Sequence, residues 1–417
     1  MIRLGRGRPV SGASGVAPPL PARSTWARFG AEVIVLGDER GWATVQAAAR
    51  RGGFRLGPEV LRARRDRLHV VVQHGRQFQQ HHPRTPILVD RGRFLLVELD
   101  RPRARQIARA HPTCYGIIPL RDRQVVFDVA DRAAFKTARN SAVQALIARL
   151  SRQTLEATLT HLTSFSTRLS TSAQYQQVST WTRKTLGDLG YRVRFQKVAV
   201  GRKSSRNVIA ERRGQAPDGS GGVVVVTAHL DSVNLAGGAD APAPGADDNG
   251  SGSAGLLEMA RILADFDGRH DLRFILFGGE EQGLFGSRRY VGTLSTAERA
   301  RIQAVVNMDM IGSLNSSTRS VLLEGAPVAR RVMDGLTRAA ATYTALTVER
   351  SLNPFASDHV PFIDAGVAAV LTIEGADNAN TAIHSERDTL DEITYDFALE
   401  ILRMIVAFVT EELLATS

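Results

Sequence analysis

The chain has 417 residues, 43% apolar and 23% charged, which is ordinary for a globular protein and long enough for two domains with sizeable cores. No apolar run approaches the ~18 residues that a membrane helix needs, and the single cysteine, Cys114, excludes an internal disulfide and a cysteine-rich metal site. The net charge of +11 is uneven: residues 1–150 hold 27 Lys and Arg against 11 Asp and Glu, whereas residues 151–417 hold 26 against 31.

With only four lysines in the chain, the arginine excess reads as composition rather than as a binding code. The split still marks a basic first part that can dock on an acidic second part or bind a polyanion. Residues 1–30, rich in Gly, Pro, Ser and Arg, read as a disordered basic tail. No apolar core succeeds the basic first eight residues, so a signal peptide is not expected. Residues 31–135 carry strand-like runs at 32–36, 68–72, 94–98 and 124–127 and a helical segment at 103–110, and read as a small α/β auxiliary or pro-domain covering the acidic face of the second part of the chain. Its one oddity is His81-His82-Pro83 with His74 nearby, which fits an exposed turn better than a metal site.

Residues 136–152 read as a helical linker and residues 153–417 as the main domain. A helix at 172–189 is followed by strands at 191–198, 207–211 and 222–229, a helix at 252–266, the apolar strand that begins at Leu272, and a helix at 284–294. Further strands at 304–308 and 367–373 and a closing helix at 397–414 complete the pattern. Strands alternating with helices over this length imply a three-layer α/β/α fold around a mostly parallel sheet.

Ligand-type residues recur at the strand ends, where catalytic groups of such sheets sit. His229-Leu-Asp231 ends one strand, Gly245-Ala-Asp-Asp-Asn-Gly250 enters a helix, Glu280-Glu281 follows another strand, Asn307-Met-Asp309 ends a third, and His384 lies in a polar loop. A set of His and carboxylate groups suits zinc or a similar divalent ion, and one bridging carboxylate with a His and a further carboxylate per ion makes a two-metal site. Each segment alone has a bland reading: a strand-end His is more often hydrogen-bonded structure, and Asp-Asp-Asn-Gly is more often a turn.

Together, in this order, the segments resemble the M28 family of zinc peptidases, the bacterial leucyl-type aminopeptidases and their relatives. The matching stretches are Ala228-His-Leu-Asp-Ser232, Pro244-Gly-Ala-Asp-Asp-Asn-Gly-Ser-Gly252, Gly279-Glu-Glu-Gln-Gly-Leu-Phe-Gly-Ser287, Asn307-Met-Asp-Met-Ile-Gly312, Ser357-Asp-His-Val-Pro-Phe362 and Ile383-His384. The resemblance spans roughly 153–410 and implies two zinc ions per chain, peptide substrates, and an exopeptidase, most simply an aminopeptidase. It implies that Asp247 bridges the ions, that His229 and Asp309 complete one and Glu281 and His384 the other, and that Glu280 is the general base. Asp231 is expected to orient His229, Asp248 to support the site from behind, and the peptide between Asp247 and Asp248 to be cis. Phe355 and Phe362 stand as candidate pocket residues, with core packing an equal reading. The run Asn353-Pro-Phe-Ala-Ser357 lacks the tyrosine that some members place before Ser-Asp-His.

Other readings stay open. The ligands alone do not tell a carboxypeptidase-type relative from an aminopeptidase. A glutaminyl cyclase of the same fold is disfavoured because Trp26, Trp42 and Trp181 all precede the metal loops. A basic binding protein with a vestigial peptidase half would be expected to have lost a ligand, and nucleic acid is not an expected partner. By sequence the chain reads as cytoplasmic; by family a secreted or periplasmic location is equally consistent.

Overall fold

The computed structural model describes residues 2–9, 25–38, 42–51, 54–110, 114–217 and 220–415. It divides into two compact units, one of residues 1–131 with 349–356 and 376–379, the other of residues 132–348, 357–375 and 380–417. Among the described residues no helix is long and apolar enough to cross a membrane.

The smaller unit holds β1 (Ile2–Pro9), β2 (Thr25–Phe29), β3 (Glu32–Asp38), β4 (Phe54–Ala63), β5 (Leu68–Gln73), β6 (Ile87–Arg91), β7 (Phe94–Glu98), β8 (Tyr115–Pro119) and β9 (Gln124–Val129). β6, β7, β5 and β8 form a four-stranded antiparallel sheet in that order. Helix Arg101–Ala110 seats Ala104 and Ile107 in a cluster with Val71, Leu95, Val97 and Tyr115. This amphipathic pattern buries one stripe of the helix and leaves its arginines outside. A second cluster joins Trp26, Val33 and Val35 to Trp42, Val45 and Ala49 of helix Trp42–Arg51.

The tail expected over residues 1–30 is corrected in part: β1 pairs antiparallel with β3 and β4, and β2 pairs with β3 and β9. Ladder hydrogen bonds use main-chain groups that glycine and arginine supply as well as valine does, so composition alone misreads such strands. Residues 10–24 of that expected tail lie outside the described residues. Among the described residues the histidines of this unit make no ligand cluster: His82 Nε2 lies 2.9 Å from the Tyr115 hydroxyl, and the His81, His82 and Phe78 rings pack around Tyr115.

The larger unit adds β10 (Arg192–Val200), β11 (Lys203–Arg212), β12 (Val223–His229), β13 (Asp271–Phe277), β14 (Ile302–Met308), β15 (Ser320–Glu324) and β17 (Ala369–Glu374), and β16 (Thr347–Ser351) begins in it and ends among the residues of the smaller unit. Its sheet runs β10-β11-β13-β12-β14-β17-β15. The central strands β13, β12, β14 and β17 are parallel, and antiparallel strands flank them. On one face Val223, Val225, Ile275, Phe277 and Val305 pack against Tyr290 and Val291 of helix Phe285–Gly292 and Phe362 of helix His359–Asp364. On the other, helices Gly252–Ile262 and Tyr395–Leu414 lie on β12 and β14. Strands covered on both faces have no polar side to expose, which is why β12 reads Val-Val-Val-Val and is buried throughout.

The helical linker is also corrected. Residues 132–152 belong to the larger unit, where Thr137 N donates to Thr342 Oγ1 (3.1 Å) and Asn140 N to the Tyr343 hydroxyl (2.8 Å), and helix Arg152–Thr163 packs on helix Gly252–Ile262.

Phe362 is fully buried, its ring centroid 5.8 Å from Tyr290 and 6.4 Å from Phe277. The ring is core rather than pocket. Phe362→Ala is expected to destabilise the protein by about 3–5 kcal/mol in chemical unfolding, the range for emptying a buried aromatic site; a change below about 1 kcal/mol would remove the ring from the core.

Candidate metal centre

Four parallel strands deliver their carboxyl ends to one place. His229 is the last residue of β12, Asp309 follows β14, Glu280 and Glu281 follow β13 after two glycines, and His384 lies beyond β17. At the break after β13, Gly279 takes φ +85°, a left-handed conformation glycine adopts without strain. A Cβ on the preceding Gly278 would stand 2.2 Å from the Tyr175 hydroxyl. The chain can therefore turn tightly enough to present two successive carboxylates.

Two ligand-type clusters result, His229 with Asp248 and Asp309, and Asp248 with Glu281 and His384. Asp248 is common to both and divides its oxygens between them. Its Oδ1 is 3.2 Å from His229 Nε2, and its Oδ2 is 3.0 Å from His384 Nε2. His229 Nε2 also lies 3.2 Å from Asp309 Oδ1, and His384 Nε2 lies 3.2 Å from Glu281 Oε2.

This geometry reverses the roles expected of the adjacent acids. Asp247 joins neither cluster: its Oδ1 accepts from Gly312 N (2.9 Å) and its Oδ2 from Asn380 Nδ2 (2.8 Å), and it pairs with the buried carboxyl of Glu374. The non-proline cis peptide is Asp248–Asn249, one bond beyond the expected place. Neighbouring side chains point to different sides of the backbone, so a one-residue shift exchanges the facing carboxylate for the supporting one.

Asp231 is also placed differently from expectation. His229 Nδ1 donates to the Asp231 main-chain carbonyl at 3.1 Å, while the carboxylate is 3.7 Å away and accepts from Glu280 N at 3.3 Å. The carbonyl fixes the tautomer that leaves Nε2 facing the cluster. Glu280 lies outside both clusters. Phe362 is core, and Phe355 belongs to the smaller unit, with its ring 5.4 Å from His74 and in contact with Gly116.

Several residues outside the ligand clusters support the centre, and of these Arg168, Ser253 and Asp388 lie in none of the matched stretches. Asp388 accepts from Asp247 N (2.8 Å) and Asp248 N (3.0 Å), one oxygen for each amide. Asn249 donates to the Met308 carbonyl and Ser253 to that of His229, tying the loop to β14 and β12. Ser357 Oγ donates to Asp309 Oδ2 at 2.6 Å and is itself held by Asn307. Arg168 is fully buried, and its guanidinium donates to the carbonyls of Leu230, Leu162, Pro244 and Gly245. It joins the segment after His229 to the segment before Asp248.

The electrostatics follow from crowding. Burial pushes Glu280 well above the carboxylate range, with Asp358, Asp309 and Glu281 adding to it. Burial and then Asp248 push Glu281 up to about 7. Burial and then Asp247 push Asp388 up to about 8. Burial also opposes the charged form of Asp248, but hydrogen bonds from His229 and His384 prevail and hold it well below its ordinary value. Burial works against the imidazolium of both histidines, yet Asp309 and Glu280 raise His229, and Glu281 and Asp248 raise His384. The crowded carboxylates thus favour positive charge at the two imidazoles.

The family model described as "Peptidase family M28" matches residues 207–409. Aminopeptidase YwaD of Bacillus subtilis is 31% identical over 215 residues, which are 50% of this chain and 45% of that protein. The chain therefore spans less than half the length of that relative. Leucine aminopeptidase 1 of Coccidioides posadasii is 30% identical over 285 residues, 64% of this chain and 72% of the relative. The fold is that of Legionella pneumophila LapA aminopeptidase, with a TM-score of 0.60 at 19% identity over 84% of this chain and 99% of that one.

If Asp248 is the shared ligand and Asp247 a supporting group, the two substitutions separate. Asp248→Asn is expected to lower the bound zinc measured after exhaustive dialysis from two ions per chain to one or none. Asp247→Asn, which keeps an acceptor oxygen, is expected to retain both. The opposite outcome would restore the bridging role to Asp247.

Proposed function

The chain belongs to peptidase family M28, and we propose that it is a metal-dependent aminopeptidase that removes residues from the amino end of peptides. The observation that carries this reading is the division of the Asp248 carboxylate between two imidazole–carboxylate clusters. Names borne by the relatives, aminopeptidase and leucine aminopeptidase, support the same activity.

The residues fit a pair of zinc ions. Each cluster offers one imidazole nitrogen and two carboxylate oxygens, a mixed N/O set suited to zinc with a position left for solvent or substrate. Among the described residues the buried Glu281 Oε1 has no hydrogen-bond partner, as expected for an oxygen facing a cation. His229, Asp309 and one Asp248 oxygen would hold one ion, and Glu281, His384 and the other Asp248 oxygen the second. When bound, such a pair polarises a carbonyl and lowers the pKa of a solvent molecule.

The protein's own part is to move a proton and hold the peptide. Glu280 stands outside both ligand sets while sharing the field of His229, Asp309 and Glu281. A carboxyl beside the ligand sets but outside them is placed to exchange a proton with solvent held there. Glu280 takes the proton of the attacking solvent and passes it to the leaving amine. The surplus of acids favours the α-ammonium of a peptide's amino end. A carboxypeptidase needs a cation to hold a free carboxylate, and the buried guanidinium of Arg168 is engaged with main-chain carbonyls. A cyclase with a tryptophan-lined pocket fits poorly, since Trp26 and Trp42 pack in the smaller unit's core and Trp181 lies against His161.

Glu280→Gln is expected to retain zinc and to lower kcat on leucyl p-nitroanilide by roughly 10²–10⁴-fold, the usual worth of a general base. N-acetylated peptides are expected to resist the native chain. Turnover near native in the variant would take the proton-carrying role away from Glu280.

A further inference from the structure

We propose that the smaller unit carries an anion site for a short chain of phosphates, formed by Arg101, Arg105 and Arg109 over a cavity of about 500 Å³. This inference does not rest on the peptidase reading. The three arginines sit four residues apart on helix Arg101–Ala110. At 1.5 Å per residue successive positions are about 6 Å apart along the axis, and each step turns by only about 40°. They therefore form one slowly winding stripe on the helix. The neighbouring stripe, Ala104 and Ile107, is fixed in the core, so the helix cannot roll to hide its charges.

The cavity beneath is completed by Ala104, Ala108, His69 and, from β8, Ile117 and Pro119. Among the described residues no carboxylate lines it. The nearby acids are already engaged: Asp66 pairs with Arg64, and Asp100 pairs with Arg67 at 3.3 Å and caps Arg103 N at 2.8 Å. Asp66 also feels the charge of Arg101. The side chains of Arg101, Arg105 and Arg109 have no ion pair or hydrogen bond among the described residues, and all three are exposed. His69 Nδ1 is engaged with the Arg67 carbonyl at 2.9 Å.

The donor balance selects the ligand class. Arginine offers donors and no acceptor, in a fork that matches two oxygens of one phosphate. A peptide would bring as many N–H donors as carbonyl acceptors and find little here to receive them. Among the described residues no aromatic side chain lines the cavity to stack a nucleobase, the feature that single-stranded nucleic-acid sites use. What remains is an anion made of acceptors alone, with charges repeating along its length. A cavity of about 500 Å³ lies within the range of small-ligand sites.

The test uses the full zinc-loaded chain and inorganic tripolyphosphate, with binding read by calorimetry at low salt. Binding of one molecule per chain is expected, weakening as salt rises. Each of Arg101→Ala, Arg105→Ala and Arg109→Ala is expected to weaken it by roughly tenfold, as for loss of a charge-assisted pair. The triple variant is expected to lose binding while keeping its circular dichroism and its peptidase rate. Because tripolyphosphate also chelates divalent ions, the triple variant, whose metal centre is intact, serves as the control. Absence of binding, or binding that survives in the triple variant, overturns the proposal. Tighter binding of a short oligothymidylate or of a hexaglutamate peptide than of tripolyphosphate overturns it as well.

Discussion

Mutual repulsion among buried carboxylates is the constraint around which the larger unit is built. Asp231, Asp247, Asp248, Glu281, Asp309, Asp358 and Asp388 are all buried at or around the strand ends, with Glu280 beside them. Against them stand two imidazoles and the guanidinium of Arg168. Like charges at this density are unfavourable by several kcal/mol per close pair unless cations or protons intervene. The raised carboxyls and the raised histidines are two expressions of the same strain. Divalent ions held by the two clusters would remove it, which would tie affinity for metal to the architecture itself.

The sheet supplies the rigidity this requires. Parallel strands packed on both faces hold His229 and Asp309 in fixed register, since Thr227 and Asn307 are ladder partners and are joined by a 2.7 Å side-chain hydrogen bond. Main-chain contacts then fix the loops. Asp388 grips the two amides of the Asp247–Asp248 pair, and Arg168 clasps carbonyls on either side of the centre. Such outer contacts orient ligands whose own side chains would otherwise rotate.

Much of this was legible from residue types. Valine-rich β12 and the run ending at Phe277 announced buried strands, and His229, Glu281, Asp309 and His384 stood where strands of this kind end. The choice between Asp247 and Asp248 was not legible. Two identical neighbours differ only in the backbone angles that aim them, and sequence does not display those. Arg168 and Asp388 were missed for a related reason: they act on main-chain carbonyls and amides, which leave no side-chain partner to recognise. Phe362 shows the converse limit, since an aromatic beside a ligand loop has the same sequence whether it faces substrate or the core. In the smaller unit, the glycine- and arginine-rich β1 forms a strand that apolar periodicity could not reveal.

Anomalous diffraction at the zinc edge, from crystals of the chain grown with zinc, tests the central claim most directly. Two peaks about 3.5–4 Å apart, lying on either side of the Asp248 carboxylate with His229 on one and His384 on the other, are the expected result. A single peak, or a peak between the oxygens of Asp247, would contradict it.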